Sequence, residues 1–127
     1  AYYSEAATGL AASLAAGSGE THVVDLRNGG TLAGLADDDA VEVPARVERE
    51  GPVPLAQAPL APELLGLAQH VAAYERLTAE AAVTRDLETA RKALLAHPLI
   101  GQWGLSVGLL ERLIAAGHLP TLVETAA

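Results

Sequence analysis

The chain is short, at 127 residues, and acidic, with 16 Asp and Glu against 8 Lys and Arg and a formal net charge of −8. That length supports one modest core, and that charge counts against nucleic acid, whose phosphates call for clustered Lys and Arg. The absence of Cys excludes disulfides, thiolate metal sites and a Cys nucleophile, and no apolar run reaches the roughly 20 residues of a membrane span.

Half of the residues are hydrophobic, yet Phe and Met are missing and aromatics make up 3%. The core must therefore be built from Leu, Val and Ala, which bury less area per residue at roughly 25 cal/mol per Å². No basic lead-in precedes an apolar stretch, so no signal peptide is visible and a cytoplasmic protein is expected.

Residues 2–16 read as a small-residue helix, stopped by Gly17-Ser18-Gly19. This helix opens at the very start, on Ala1-Tyr2-Tyr3-Ser4, without a residue suited to cap it. The chain is accordingly expected to be the C-terminal portion of a larger protein. Thr21-His22-Val23-Val24-Asp25-Leu26 reads as a strand, followed by the turn signal Asn28-Gly29-Gly30 and a loop to Asp37-Asp38-Asp39.

In residues 41–48 the odd positions Val41, Val43, Ala45 and Val47 are apolar, and Glu42, Arg46 and Glu48 share the other face. Period 2 predicts a half-buried strand. Pro44 cannot donate to a ladder, so an edge strand or a bulge is expected there. Glu50-Gly51 turns the chain into a short strand over 52–55, and a Pro-rich linker, 57–62, leads into a helical half.

Leu64, Leu67, Val71, Tyr74, Leu77 and Ala81 recur every three or four residues and predict an amphipathic helix over 62–84 with Pro62 in its first turn. A second helix is predicted over 86–96, capped by Asp86 and ended by His97-Pro98. A third is predicted over about 106–116, closed by Gly117, and the tail 120–127 is expected to fray. The fold class is α+β: a small antiparallel hairpin sheet packed with helices.

Chemistry-bearing clusters are few. His22, His70, His97 and His118 lack metal-ligand spacing, and His70 reads as a packed or surface side chain. Asp37-Asp38-Asp39 could meet a hard cation but lacks calcium-loop spacing, which favours a solvated loop. Glu75 and Glu80 point about 140° apart on a helix and cannot converge on one bond, while Arg76 and Glu80 suit a weak surface pair. Ser4, Ser13, Ser18 and Ser106 have no nucleophile-elbow setting and no evident His partner. Asn28-Gly29-Gly30 sits in a hairpin rather than between a strand and a helix, so it is no phosphate loop. Tyr2-Tyr3-Ser4 is left as a candidate pocket edge, equally able to pack against further sequence.

The ordered series Ala1-Tyr2-Tyr3-Ser4-Glu5-Ala6-Ala7, Thr21 to Gly30, Val41-Glu42-Val43-Pro44, Ala73-Tyr74-Glu75-Arg76-Leu77-Thr78 with Glu80-Ala81, and His97-Pro98-Leu99 resembles the C-terminal region of family 4 glycoside hydrolases, nearest their 6-phospho-β-glucosidase branch. The resemblance covers residues 1 to about 100. It implies a C-terminal domain related to that of lactate and malate dehydrogenases, following an N-terminal Rossmann domain that this chain does not contain. It implies an NAD- and manganese-dependent parent that oxidises the sugar at C3, eliminates the aglycone, adds water and re-reduces, the redox exception to two-carboxylate glycoside hydrolysis.

The family's metal-binding Cys and His, its catalytic Tyr and its nucleotide-binding glycines lie outside the matched segments. The resemblance thus implies no catalytic, cofactor or metal residue here, and it points to Tyr3 and Ser4 as a wall of the substrate pocket. Asn28 matches a hairpin Asn read as structural. The chain departs from the family at Gly29, often a second Asn, and at Ala45, often a Cys. The expected partners are the rest of the parent chain, a glycoside or phosphoglycoside, and a second copy in a homo-oligomer. The alternatives are another family 4 activity (α-glucosidase or α-galactosidase), a lactate/malate-type dehydrogenase, and a non-catalytic module that oligomerises through residues 62–117.

Overall fold

The structure, a computed structural model, describes residues 2–119 and 121–123. The chain divides into two compact units, residues 1–60 and 61–127. Among the described residues, no helix is long and apolar enough to cross a membrane.

The first unit holds α1 (Tyr2–Ala16), β1 (Thr21–Arg27), β2 (Ala40–Glu48) and β3 (Gly51–Pro54). The strands form one antiparallel sheet in the order β1-β2-β3. The period-2 expectation for β2 holds: Val41, Val43, Ala45 and Val47 are buried, while Glu42 and Arg46 are exposed. The register carries the same alternation into β1, where Leu26, Val24 and His22 lie opposite Val41, Val43 and Ala45.

Pro44 departs from its expected setting. It sits opposite Val23 inside the central strand, with neither an edge position nor a bulge in the β1–β2 register. The ladder tolerates it because its backbone polar groups face the β3 side, where its carbonyl accepts from Leu55 N–H at 2.9 Å. The paired stretch of β3 stops one position short, at Ala45 opposite Pro54. The missing N–H would face the Leu55 carbonyl just past the end of the third strand, and that carbonyl accepts from Gln57 Nε2 at 2.8 Å instead.

The chain end of α1 is sharply specified. Gly17 has φ of +62°, and a Cβ there would lie 2.9 Å from Arg49 Cβ and 3.1 Å from Arg49 N. Its N–H, with that of Ser18, closes on the Ser13 carbonyl. Gly17→Ala therefore meets both an unfavourable backbone conformation and a clash, and is expected to cost at least about 2 kcal/mol. Chemical denaturation of the chain measures this; a change within a few tenths would show that the contact relaxes freely.

The second unit holds α2 (Pro62–Thr84), α3 (Leu87–Ala96) and α4 (Trp103–Ala115). Pro62 occupies the first turn of α2, and Arg85 ends it in a left-handed conformation with its N–H on the Ala81 carbonyl. Asp86 caps α3 as expected, its carboxylate accepting from Thr89 N–H at 2.7 Å. α4 begins at Trp103, three residues before the expected start. The Ser106 hydroxyl donates back to the Trp103 carbonyl at 2.7 Å, and Ser106 is fully buried inside the helix.

The tail was expected to fray over 120–127, and Pro120 and residues 124–127 lie outside the described residues. Val123, however, is paired: its N–H donates to the Arg85 carbonyl and its carbonyl accepts from Leu87 N–H. The apolar stripe of α2 also divides. Ala81 is buried, and Tyr74 and Leu77 are half-buried, but Leu64 and Leu67 are 54% and 52% exposed and Val71 is exposed with them. The cause is length. α3 is less than half as long as α2 and stops before Pro98, where His70 Nδ1 reaches the Ala96 carbonyl at 3.3 Å and Tyr74 meets His97 edge-on. The turns of α2 before His70 extend past the end of α3.

Candidate functional site

The sequence nominated Tyr3 and Ser4, which the structure places on the opening turn of α1. Tyr3 is 93% exposed. Ser4 is also exposed, and its carbonyl accepts from the Thr8 hydroxyl at 2.8 Å. The side chain of Tyr2 lies outside the described residues. In the second unit, a cavity of about 230 Å³ is lined by Tyr74, Ala81, Ala90, Ala93, Leu110 and neighbouring apolar residues. Alanines and leucines line this partly open space, and neither Tyr3 nor Ser4 borders it.

Asn28 is 1% exposed and organises the whole loop between β1 and β2. Its Nδ2 donates to the carbonyls of Leu32, Leu35 and Ala36, and its Oδ1 accepts from Leu32 N–H. Its backbone N–H donates to the Asp39 carbonyl. Every polar atom of the side chain is committed to the fold, which agrees with a structural role. The Asp37-Asp38-Asp39 run is drawn into the same loop. Asp39 accepts from Ala36 N–H through its carboxylate, and the Asp37 carbonyl accepts from Gly29 N–H. Among the described residues no group of three or more His, Cys, Asp or Glu could hold a metal ion.

One cluster escaped the sequence reading, which saw no His partner for any serine. Ser13 Oγ lies 2.8 Å from His22 Nε2 and 2.8 Å from Glu20 Oε2, and Glu20 Oε2 is 3.7 Å from His22 Nε2. A hydroxyl has one proton. Given to the Glu20 carboxylate, it leaves Ser13 Oγ to accept from His22 Nε2–H, and this arrangement satisfies all three atoms. The proton relay of a hydrolytic triad would need the reverse, with Ser13 donating to a bare Nε2. Ser13 is also 2% exposed, beyond the reach of a substrate. The cluster holds parts of the fold together and is no nucleophile. Its one visible signal in the sequence was weak: Ser13 stands four residues from both Gly9 and Gly17, a line of small residues along one helix face.

The residues described here therefore provide no ligand set for a metal and no glycine-rich strand-to-helix loop for a dinucleotide. What the chain offers is a folded platform with an exposed Tyr3-Ser4 edge on one unit and an exposed Leu64-Leu67-Val71 stripe on the other.

Comparison with known proteins places this platform in a family. The chain is 36% identical over 116 residues to a probable 6-phospho-β-glucosidase of Bacillus subtilis strain 168, an alignment that covers 91% of this chain and 26% of that protein. It is 30% identical over 107 residues to the phospho-α-glucosidase PagL of Clostridium acetobutylicum, covering 84% and 24%. Its fold superposes with a TM-score of 0.82, at 36% identity, on a structure of the 6-phospho-β-glucosidase from Thermotoga maritima with manganese, NAD+ and glucose-6-phosphate, covering 95% of this chain and 30% of that one. The chain thus spans about a quarter of the length of the curated relatives it matches. Residues 2–100 match the family model described as the family 4 glycosyl hydrolase C-terminal domain, and the chain belongs to that family.

Proposed function

We propose that this chain is the C-terminal domain of an NAD- and divalent-metal-dependent glycosidase that hydrolyses 6-phospho-β-glucosides in the cytoplasm. The observation that carries the reading is the match of nine-tenths of the chain to a 6-phospho-β-glucosidase at higher identity than to a phospho-α-glucosidase. NAD and manganese accompany glucose-6-phosphate in the similar Thermotoga maritima structure. Residues of the parent outside this chain would hold both groups, as the family resemblance implies. The reaction would follow the oxidation–elimination route that the family resemblance implies. In this reading Tyr3 and Ser4 form part of the pocket wall, an assignment supported by their exposure on the first turn of α1.

The test is hydrolysis of an aryl 6-phospho-β-glucoside by the full-length parent, with NAD+ and Mn2+ each present or withheld. Cleavage that requires both is expected, falling at least a hundredfold when either is removed, while the 127-residue chain alone is expected to be inert. Cleavage of the α-anomer or of an α-galactoside instead would move the parent to another family 4 activity. Net accumulation of NADH would make it a dehydrogenase.

Subunit contact through the second unit is a further role, favoured by the exposed Leu64-Leu67-Val71 stripe. A stable soluble chain rarely leaves such a stripe open. Light scattering on the parent is expected to report an oligomer, and a clean monomer would remove this role.

A further inference from the structure

We propose that Ser13, Glu20 and His22 are positioning residues. They fix the direction of α1 and so set where Tyr3 and Ser4 stand in the sugar pocket of the parent enzyme. The inference rests on the pocket-wall reading of those two residues.

The geometry carries it in three steps. First, the helix meets its neighbours along one face of small residues. A Cβ on Gly9 would touch His22 Cε1 at 3.7 Å, and Gly17 packs against the Arg49 backbone. Between these two, Ser13 is the buried residue of the helix. Glycines allow close approach but impose no direction. Direction at this face comes from the two 2.8 Å hydrogen bonds of Ser13, one to each of two residues on the chain that leads into and begins β1.

Second, the helix extends well past that clamp. Residues 3–8 are exposed, and Tyr3 lies ten positions before Ser13, which is about 15 Å along a helix axis. Third, a lever of that length amplifies small errors. A tilt of about 4° at Ser13 moves the Tyr3 backbone by about 1 Å, enough to loosen a wall contact with bound substrate. Losing the clamp should disturb the fold far less, because Glu20 is 69% exposed at its side chain and its carboxylate can return to water.

The test uses the full-length parent with NAD+ and Mn2+, on an aryl 6-phospho-β-glucoside. Ser13→Ala and His22→Phe are expected to raise KM roughly tenfold with kcat within about twofold, as for a displaced binding wall. His22→Gln keeps an N–H that can donate to Ser13 Oγ and is expected to recover most of the loss. Hydrogen exchange of the α1 amides in the same holoenzymes is expected to quicken in Ser13→Ala and His22→Phe but not in His22→Gln. If His22→Phe fails to fold, Ser13→Ala decides.

Unchanged exchange in α1 overturns the clamp. Unchanged KM in the clamp variants, with a raised KM in Tyr3→Ala or Ser4→Ala, overturns the positioning role and leaves the pocket wall standing. Unchanged KM in all of them removes the pocket wall and the inference with it. A parent that cleaves no such glycoside removes the pocket and overturns both.

Discussion

Asn28→Asp is expected to destabilise the chain by about 3 kcal/mol. The swap barely alters shape. It replaces an NH2 group that donates to the carbonyls of Leu32, Leu35 and Ala36 with an oxygen that points at the same three acceptors. Two N–H groups shared among three acceptors give way to three oxygen–oxygen contacts around a 1% exposed group. An unsatisfied buried polar group costs about 1–3 kcal/mol, and more when it is charged. Partial hydration of the half-buried loop carbonyls keeps the total near 3. With a urea slope of about 1.5 kcal/mol/M, the midpoint should fall by about 2 M at unchanged slope. Asp38→Asn in the same loop changes the charge at an exposed position and is the matched control, expected to be nearly neutral. Equal behaviour of the two variants would show that the loop has other supports and that Asn28 does not organise it.

How much of this was legible beforehand depends on the range of the interaction. The alternation from Val41 to Val47, the Asp86 cap and the helix stop at His97-Pro98 are local. Each rests on residues within one turn or one strand, and the structure reproduces them. Asn28 was legible as a structural residue by resemblance, though its four side-chain hydrogen bonds were not. The start of α4, three residues before its expected place, shows the limit of a local reading. A hydroxyl that can cap a helix can also, as at Ser106, bond back to a carbonyl three residues earlier, and the choice depends on what surrounds it. Pro44 was misjudged because its cost depends on where a different strand ends. The Ser13-His22 contact joins a helix to a strand across nine positions of chain, which no periodicity reports. The α2 stripe reads in the sequence as one continuous amphipathic face, yet among the described residues its first half has no partner helix because α3 is too short to reach it. The apolar pattern shows that a face needs covering, and it is silent on what covers it.

Leu110→Ala is expected to cost about 3 kcal/mol, and the direction of a paired substitution tests the reason. Leu110 is buried and borders the 230 Å³ cavity among α2, α3 and α4. A buried Leu→Ala change costs about 2–5 kcal/mol, the transfer term plus a contribution that grows with the cavity left behind. Here the loss enlarges a space that already exists, and its wall at positions 81, 90 and 93 is alanine, with no longer side chain to swing inward, beside leucines at 94 and 113. The same shortage of bulk predicts that additions are tolerated. Ala90→Leu extends a half-buried helical residue into the existing void at little cost in helix propensity. It should raise stability by about 1 kcal/mol from the added apolar burial. Thermal and urea unfolding of both variants reads the two effects with opposite signs. If Ala90→Leu destabilises as well, the cavity walls are stiff and shaped rather than merely underfilled. The alanine-rich core would then be fixed by close helix approach in α2 and α3, and not by a lack of large side chains to fill it.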